Sequence, residues 1–425
     1  MSNEAGAVTE QASDNQGLVP KLRFPEFRDA GEWVEKPLGE FASLISERVG
    51  GRQFIPLSIT SGVGLISQEE KFGRTIAGQQ LKNYLVLRKG DFAYNKSATK
   101  LYPQGYAVMY QGDEVGCVPS SIFACFSVTD NSVAKSYINY QLSANLHGRW
   151  LSRFTTIGAR ANGSLNVDDN DLLALPVPLP EGPAKFAEQQ KIADFLSSLD
   201  ALINVETDKL AVLRDHKKGL MQQLFPVKGE TTPRLRFPEF RNAGEWEERP
   251  LGDLAENLDN RRVPIASSAR ASGEVPYYGA SGIVDYVADY IFDEDILCIS
   301  EDGANLVARS TPIAFSVSGK CWINNHAHVL KFEKMHTQIL VEQYLNAISL
   351  EDFLTGVAQP KLNRGMLDVI PVPIPNDEGE QRKIAVCLSS LDALIASQND
   401  SVAALKNHQS GLMQQLFPSP DEAVA

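Results

Sequence analysis

At 425 residues, and roughly 100 to 200 residues per domain, the chain has room for two to four domains; a disulfide-stapled miniprotein is excluded. Apolar residues at 43 % and charged residues at 22 % exclude wholesale disorder. Lys plus Arg is 40 against 53 for Asp plus Glu, and this net charge of −13, taken alone, argues against a nucleic-acid binder.

In chain order, residues 1–19 read as a disordered acidic tail without the basic start and apolar core of a signal peptide. Residues 20–42, PKLRFPEFRDAGEWVEKPLGEFA, open a first strand-rich globule. Its runs NYLVLRKGDFAYN, GYAVMYQ and SSIFACFSVT mix β-branched and aromatic residues between turn signals. A helix is predicted over 133–152, and the Pro-punctuated strand LPVPLP closes the globule at 175–180. A long helix follows over 192–224. Its seam, Ile192, Leu196, Leu199, Ile203, Glu206, Leu210, Leu213, Lys217, Leu220 and Leu224, alternates four and three apart as in a coiled coil. Its 33 residues extend about 50 Å, the length of a spacer.

The pattern then repeats. Residues 233–255 match 20–42 at 17 of 23 positions, and 380–418 match 188–226 at 25 of 39. Between them lie the strand runs YIFDEDILCIS, PIAFSVS and HAHVLKF, a helix predicted over 337–354, and IPVPIP at 370–375. The second seam is Ile384, Leu388, Leu391, Ile395, Gln398, Val402, Leu405, Gln409, Leu412 and Leu416, with polar residues at the same two places as the first. The middles, 43–174 and 256–369, do not align beyond GARANGSLN against GVAQPKLN. A duplication with constant edges and separate middles is expected, the two seams facing each other. Gly219 and Gly411 interrupt the seam helices, each at a cost of about 1 kcal/mol relative to Ala, which suggests a bend or the close approach of another chain.

A search for chemistry finds no GxxxxGK[ST], no GxGxxG after a strand and no HExxH, so neither catalysis nor a cofactor is expected of this chain, and no metal site. His326 and His328 read as a packed or hydrogen-bonded pair, His216 and His408 as residues of a solvated helix face, and the five cysteines as small buried residues. No stretch approaches the roughly 18 uncharged apolar residues of a membrane span, so the expected place is the cytoplasm. What remains are polar loops with basic residues. Lys96, Ser97 and Lys100, Arg160 and Asn162, and Asn305 with Arg309 and Lys361 are candidate DNA contacts. Arg and Asn suit base edges, and Lys and Ser suit phosphates.

Constant edges around unlike middles, long helices ending in GLMQQLFP, and the phrases LRFPEF, EQQKIA and SLDALI resemble the specificity subunit of type I restriction-modification systems over about residues 20–418. GDFAYNKS resembles one family of target-recognition domain, and YYGASGIVDY with EDGAN and NNHAHVL resembles another. The resemblance implies an α+β chain with a pseudo-twofold internal repeat. Target-recognition domains at 20–180 and 229–376 are separated by conserved helices at 181–228 and 377–418 that form an antiparallel coiled coil, and residues 419–425 form a tail. It further implies a non-catalytic subunit that reads one half of a split double-stranded DNA site with each domain. Two methyltransferase subunits would dock on the helices, restriction/translocase subunits would join, and the methyl donor and ATP would be bound by those partners. The other reading the residues allow is a bivalent scaffold that gathers two copies of a protein without reading DNA, for which the negative charge is the best support.

Overall fold

The computed structural model describes residues 18–60, 62–99, 102–154, 165, 167–356 and 359–418. Residues 1–17 of the tail expected at 1–19, the tail at 419–425, and Lys100, Arg160 and Asn162 lie outside the described residues, while Leu18 pairs with Trp33. The chain divides into two compact units, with boundaries at Asn204/Val205 and Val402/Ala403.

The first globule runs β1 (Trp33–Pro37), β2 (Ala42–Leu44), β3 (Ile55–Thr60), β4 (Gly64–Ser67), α1 (Gln68–Phe72), β5 (Leu85–Leu87), β6 (Phe92–Asn95), β7 (Tyr106–Met109), β8 (Gly116–Val118) and β9 (Phe123–Val128). It continues through α2 (Lys135–Ser143), α3 (Leu146–Leu151), α4 (Asp169–Leu173) and β10 (Pro176–Pro180) into the long α5 (Lys185–Leu224). The second runs β11 (Glu247–Pro250), β12 (Ala255–Asn257), β13 (Ser272–Gly279), β14 (Gly282–Val287), β15 (Phe292–Asp293), β16 (Ile296–Ser300), α6 (Asn305–Ala308), β17 (Ala314–Val317), β18 (Lys320–Ile323) and β19 (Ala327–Phe332). It ends in α7 (Met335–Ala347), α8 (Arg364–Asp368), β20 (Pro371–Ile374) and the long α9 (Glu378–Leu416).

The two middles share one topology although their sequences do not align. In the first, β2-β9-β6-β7 form an antiparallel sheet and β4-β3-β8-β5 a second sheet in which β3 and β8 run parallel. In the second, β12-β19-β16-β17 and β14-β13-β18-β15 repeat both orders, with β13 and β18 the parallel pair. The Pro-punctuated strands β10 and β20 each pair with only one neighbour, β1 and β11, a place where prolines that cannot donate to a ladder are tolerated. The helix predicted over 133–152 is two helices, because Asn145 adopts a left-handed conformation (φ 64°) between α2 and α3. The one predicted over 337–354 stops at Ala347, where Ile348 turns extended.

Each unit holds one end of each long helix. Ile192 and Leu196 of α5 share a core with Leu416 of α9 and with Trp33, Phe126 and Tyr137. Met221 and Leu224 of α5 pack with Ile384 and Leu388 of α9, beside Trp246 and Leu340. The early part of one helix therefore meets the late part of the other in both units, so the pair is antiparallel. Every seam position is buried or half-buried. Gly219 and Gly411 lie inside unbroken helix, and a Cβ added at either meets nothing within 4 Å.

Candidate nucleic-acid interface

The basic stretch of the first globule is partly neutralised. Glu47 takes Arg88 and Arg52, each at 2.7 Å, and these two guanidinium groups hold its carboxyl down at about 2. Lys89 pairs with Asp113, while Lys71 donates to the Ile59 carbonyl. Arg74 and Lys82 stay exposed, without a salt bridge among the described residues. Lys96, at the end of β6, sits beneath the loop: its ammonium bonds the Val167 carbonyl at 3.1 Å and Asp169 at 2.9 Å. Ser97 follows, half-buried, its N–H donating to Asn95 Oδ1.

In the second globule a charged network underlies the loop at 301–305. Arg262 donates to Glu301 at 2.6 Å and to the Ala327 carbonyl, and lies 3.3 Å from Asp259; Lys361 reaches Glu301 at 3.1 Å. Burial works to raise the Asp259 and Glu301 carboxyls, but hydrogen bonds from His328 to the first and from Arg262 and Lys361 to the second hold both below their ordinary values. His328 is buried with its ring nitrogens facing Asp259 Oδ2 at 2.6 Å and the Leu362 carbonyl at 2.7 Å, while the more exposed His326 meets Asp302. Hydrogen bonding accounts for both, and no cluster of metal-ligating side chains occurs among the described residues.

Two candidates are committed to the fold. Asn305 donates to the Thr311 carbonyl, and its Oδ1 accepts from Ser310 Oγ and the Thr311 N–H, closing its own loop. Arg309, left-handed at φ 50°, donates to the Leu345 and Ile348 carbonyls at the end of α7, and burial pushes its pKa down. These acceptors lie 36 and 39 residues away and could not be read from the loop alone. Lys96, Ser97 and Lys361 remain at the loops where they were expected.

The constant edges clamp the helices, twice over. Arg23 of the first LRFPEF makes a two-point contact with Glu188 at 2.7 and 2.8 Å, and Arg236 of the second does the same with Glu380 at 2.7 Å on both oxygens. The same segments reach the far end of the other helix, Leu22 N–H donating to Gln415 O and Leu235 N–H to Gln223 O. Sequence identity between the copies marks these contacts in advance. Two others it does not mark: Asp200 accepts from Gln409 at 2.7 Å and from Tyr140 at 2.6 Å, and its counterpart Asp392 accepts from Lys217 and from Gln343. Each ties the seam to a helix of its own globule.

A family model described as type I restriction modification DNA specificity domain matches residues 64–215 and 243–407, well over half of the chain. A candidate type I restriction enzyme specificity subunit of Haemophilus influenzae is 37 % identical over 150 residues, which cover 35 % of this chain and 38 % of that one. The MjaX specificity subunit of Methanocaldococcus jannaschii is 24 % identical over 323 residues, 74 % of each chain. Among solved structures, the S subunit of a type I restriction-modification system from M. genitalium superposes with a TM-score of 0.61 at 16 % identity, over 95 % of this chain and 100 % of that one. A chain from a study of complex assembly and conformational transition in the type I system matches at a TM-score of 0.52 and 15 % identity, over 91 % of this chain and 98 % of that one. The family model matches one segment in each repeat of this molecule, and the chain belongs to the specificity subunits of type I restriction-modification systems, the non-catalytic DNA specificity component of the complex.

Proposed function

We propose that this chain reads a bipartite DNA site, one half with each globule, and carries two methyltransferase subunits on its constant helices. The observation that carries the reading is the contrast between frame and filling. The edges match at 17 of 23 positions, the arginine–glutamate clamps recur and the seams keep one heptad register, as two copies of one partner require. The middles keep one strand order and change nearly every side chain and loop on it, as two different ligands require. Restriction/translocase subunits join the assembly, and the methyl donor and ATP belong to those partners.

Lys96, Ser97 and Lys361, with Lys100, Arg160 and Asn162, are the contacts proposed to DNA, and Asn305 and Arg309 hold the loop that presents the second set. Phosphate contacts position and base-edge contacts specify, so the lysines contribute affinity, while Arg160 and Asn162 contribute discrimination. The bases between the half-sites go unread, and only their number matters. The test is a mobility-shift panel with the chain and its methyltransferase partner, on duplexes that fix both half-sites and vary the gap one base pair at a time. A sharp optimum supports the reading. A flat response, or equal affinity for random duplexes, favours a scaffold that reads no DNA.

A further inference from the structure

Each unit contains a cleft where the last turns of one long helix pass the helix of its globule. In the unit of Val205–Val402 it encloses about 600 Å³. Its apolar wall includes Met221, Phe225, Tyr344 and Ile348, and Arg214, Lys217, Lys218 and Arg234 line it as well. In the other unit the equivalent cleft, about 280 Å³, is lined by Met413, Phe417 and Leu146 with Lys21 and Arg149. Part of the lining corresponds along the repeat. Met221, Gln222, Phe225 and Pro226 in one are Met413, Gln414, Phe417 and Pro418 in the other, and Arg234 takes the place of Lys21.

Among the described residues neither cleft has a carboxylate in its lining, on a chain with 53 acidic residues against 40 basic ones. Lys217 and Lys218 lie seven and six residues before the end of α5, outside its last turn, so the helix dipole does not account for them. Nor does it account for Arg234, which comes from the LRFPEF edge yet lines the same cleft. Lys217 is met by Asp392, whereas Lys218 and Arg234 are exposed and form no salt bridge among the described residues. Gln222 and Gln414 are exposed, identical in both copies, and line the two clefts.

We infer that the two clefts are sockets for an acidic segment with an apolar or aromatic anchor, one from each of two copies of the partner methyltransferase subunit. The inference rests on the docking reading above and names the chemistry of the contact. A cationic rim over an apolar floor suits a peptide that brings carboxylates and a buried side chain together; a phosphate backbone brings charge without the anchor. Duplication of the cleft matches duplication of the partner.

The test uses the full chain and two probes. The first is a labelled acidic peptide carrying two leucines and a phenylalanine, compared by fluorescence anisotropy with a version bearing alanine at those three positions and with a basic counterpart. The acidic anchored peptide is expected to bind in preference to both, at two sites per chain, with Lys218→Glu/Arg234→Glu reducing the stoichiometry from two to one. Equal binding of the three peptides, an unaffected variant, or competition by duplex DNA without peptide binding overturns the assignment. The second probe is the methyltransferase subunit itself, with stoichiometry read by native mass spectrometry. The wild type is expected to carry two, and the double variant one at concentrations that saturate the wild type. If the wild type carries none, the docking reading fails. If the variant still carries two with unchanged affinity, the sockets fail while the docking reading stands. Should charge reversal impair folding, judged by the thermal midpoint, Lys218→Gln/Arg234→Gln is read in its place against the same outcomes.

Discussion

Glu206 and Gln398 occupy the same position in the two constant helices and bond to one another: the Gln398 amide donates to Glu206 Oε2 at 2.6 Å and to the Glu206 carbonyl at 2.9 Å. In an antiparallel pair of equivalent helices a residue meets its own copy only where the pairing turns over, so this contact marks the local twofold of the seam. The other matched polar positions, Lys217 and Gln409, do not meet each other. Each instead finds an aspartate of the opposite helix, Asp392 and Asp200. The seam is thus specified at three points by polar contacts that a shift of register would break.

Placing a second acid at the turnover point tests this arrangement. The Gln398 amide is the first cause that holds the Glu206 carboxyl below its ordinary value. Gln398→Glu replaces that donor with a like charge. The variant is expected to melt below the wild type at pH 7 and to recover relative to it as pH falls below about 4.5, when the carboxyls protonate. Parallel melting curves at both pH values would count against the contact.

The paired clamps give a comparison inside one molecule. Glu188 is buried and receives Arg23 and, at 3.3 Å, the Trp33 indole N–H, whereas the Trp246 indole N–H in the second copy is buried with no hydrogen-bond partner among the described residues. Removing the arginine leaves a buried carboxylate unpaired, a loss of about 3 to 5 kcal/mol, so Arg23→Ala and Arg236→Ala should both be severe, the second more so. Trp→Phe leaves a cavity in the core of either copy, and Trp33→Phe should cost about 1 kcal/mol more than Trp246→Phe through the lost bond. Urea unfolding of the four variants measures the differences.

Much of this frame is legible without coordinates, because duplication displays its constraints as identity. LRFPEF and the Glu of EQQKIA and EQRKIA recur together, and they touch. The seams are legible because heptad spacing survives substitution. The common strand order of the middles is not, since a strand asks only for β-branched and aromatic residues, and insertions such as α1 and α6 fall at different places in the two copies. Nor are the roles of Asn305 and Arg309. Residue type suggested bases, and the fold gives both side chains intramolecular partners that residue type does not reveal: carbonyls, a hydroxyl and a backbone N–H.

His147 contributes a pH dependence of its own. It is buried against Tyr94, its ring centroid 5.8 Å from the tyrosine's, and burial pushes its pKa down to about 4. The unfolded chain, with an ordinary value near 6.5, then binds more protons than the folded chain between pH 4 and 6.5. Stability therefore falls as pH drops through that window, by about 3 kcal/mol at most. Urea midpoints measured from pH 7 to 4.5 should fall in the wild type and fall less steeply in His147→Gln.

Arg309 and Lys361 separate structural from interfacial charge. Arg309→Ala removes two carbonyl contacts from the end of α7, leaves a non-glycine residue in a left-handed conformation, and should lower thermal stability by about 1 to 3 kcal/mol. Lys361→Ala removes a half-exposed partner of Glu301 that Arg262 still holds, so it should cost no more than about 1 kcal/mol, weaken DNA binding across sequences, and reduce the slope of log affinity against log salt by about 1. Thermal melts and salt titrations of binding, run on both variants, check the division.

The central claim, that each globule reads its own half of one site, is tested most directly by exchange. Residues 43–174 are replaced by the equivalent segment of another specificity subunit, and the host methylome is sequenced with the original and the exchanged chain. The account predicts a motif in which one half-site changes while the other half and the gap are kept. An unchanged motif, or one altered in both halves, would contradict it.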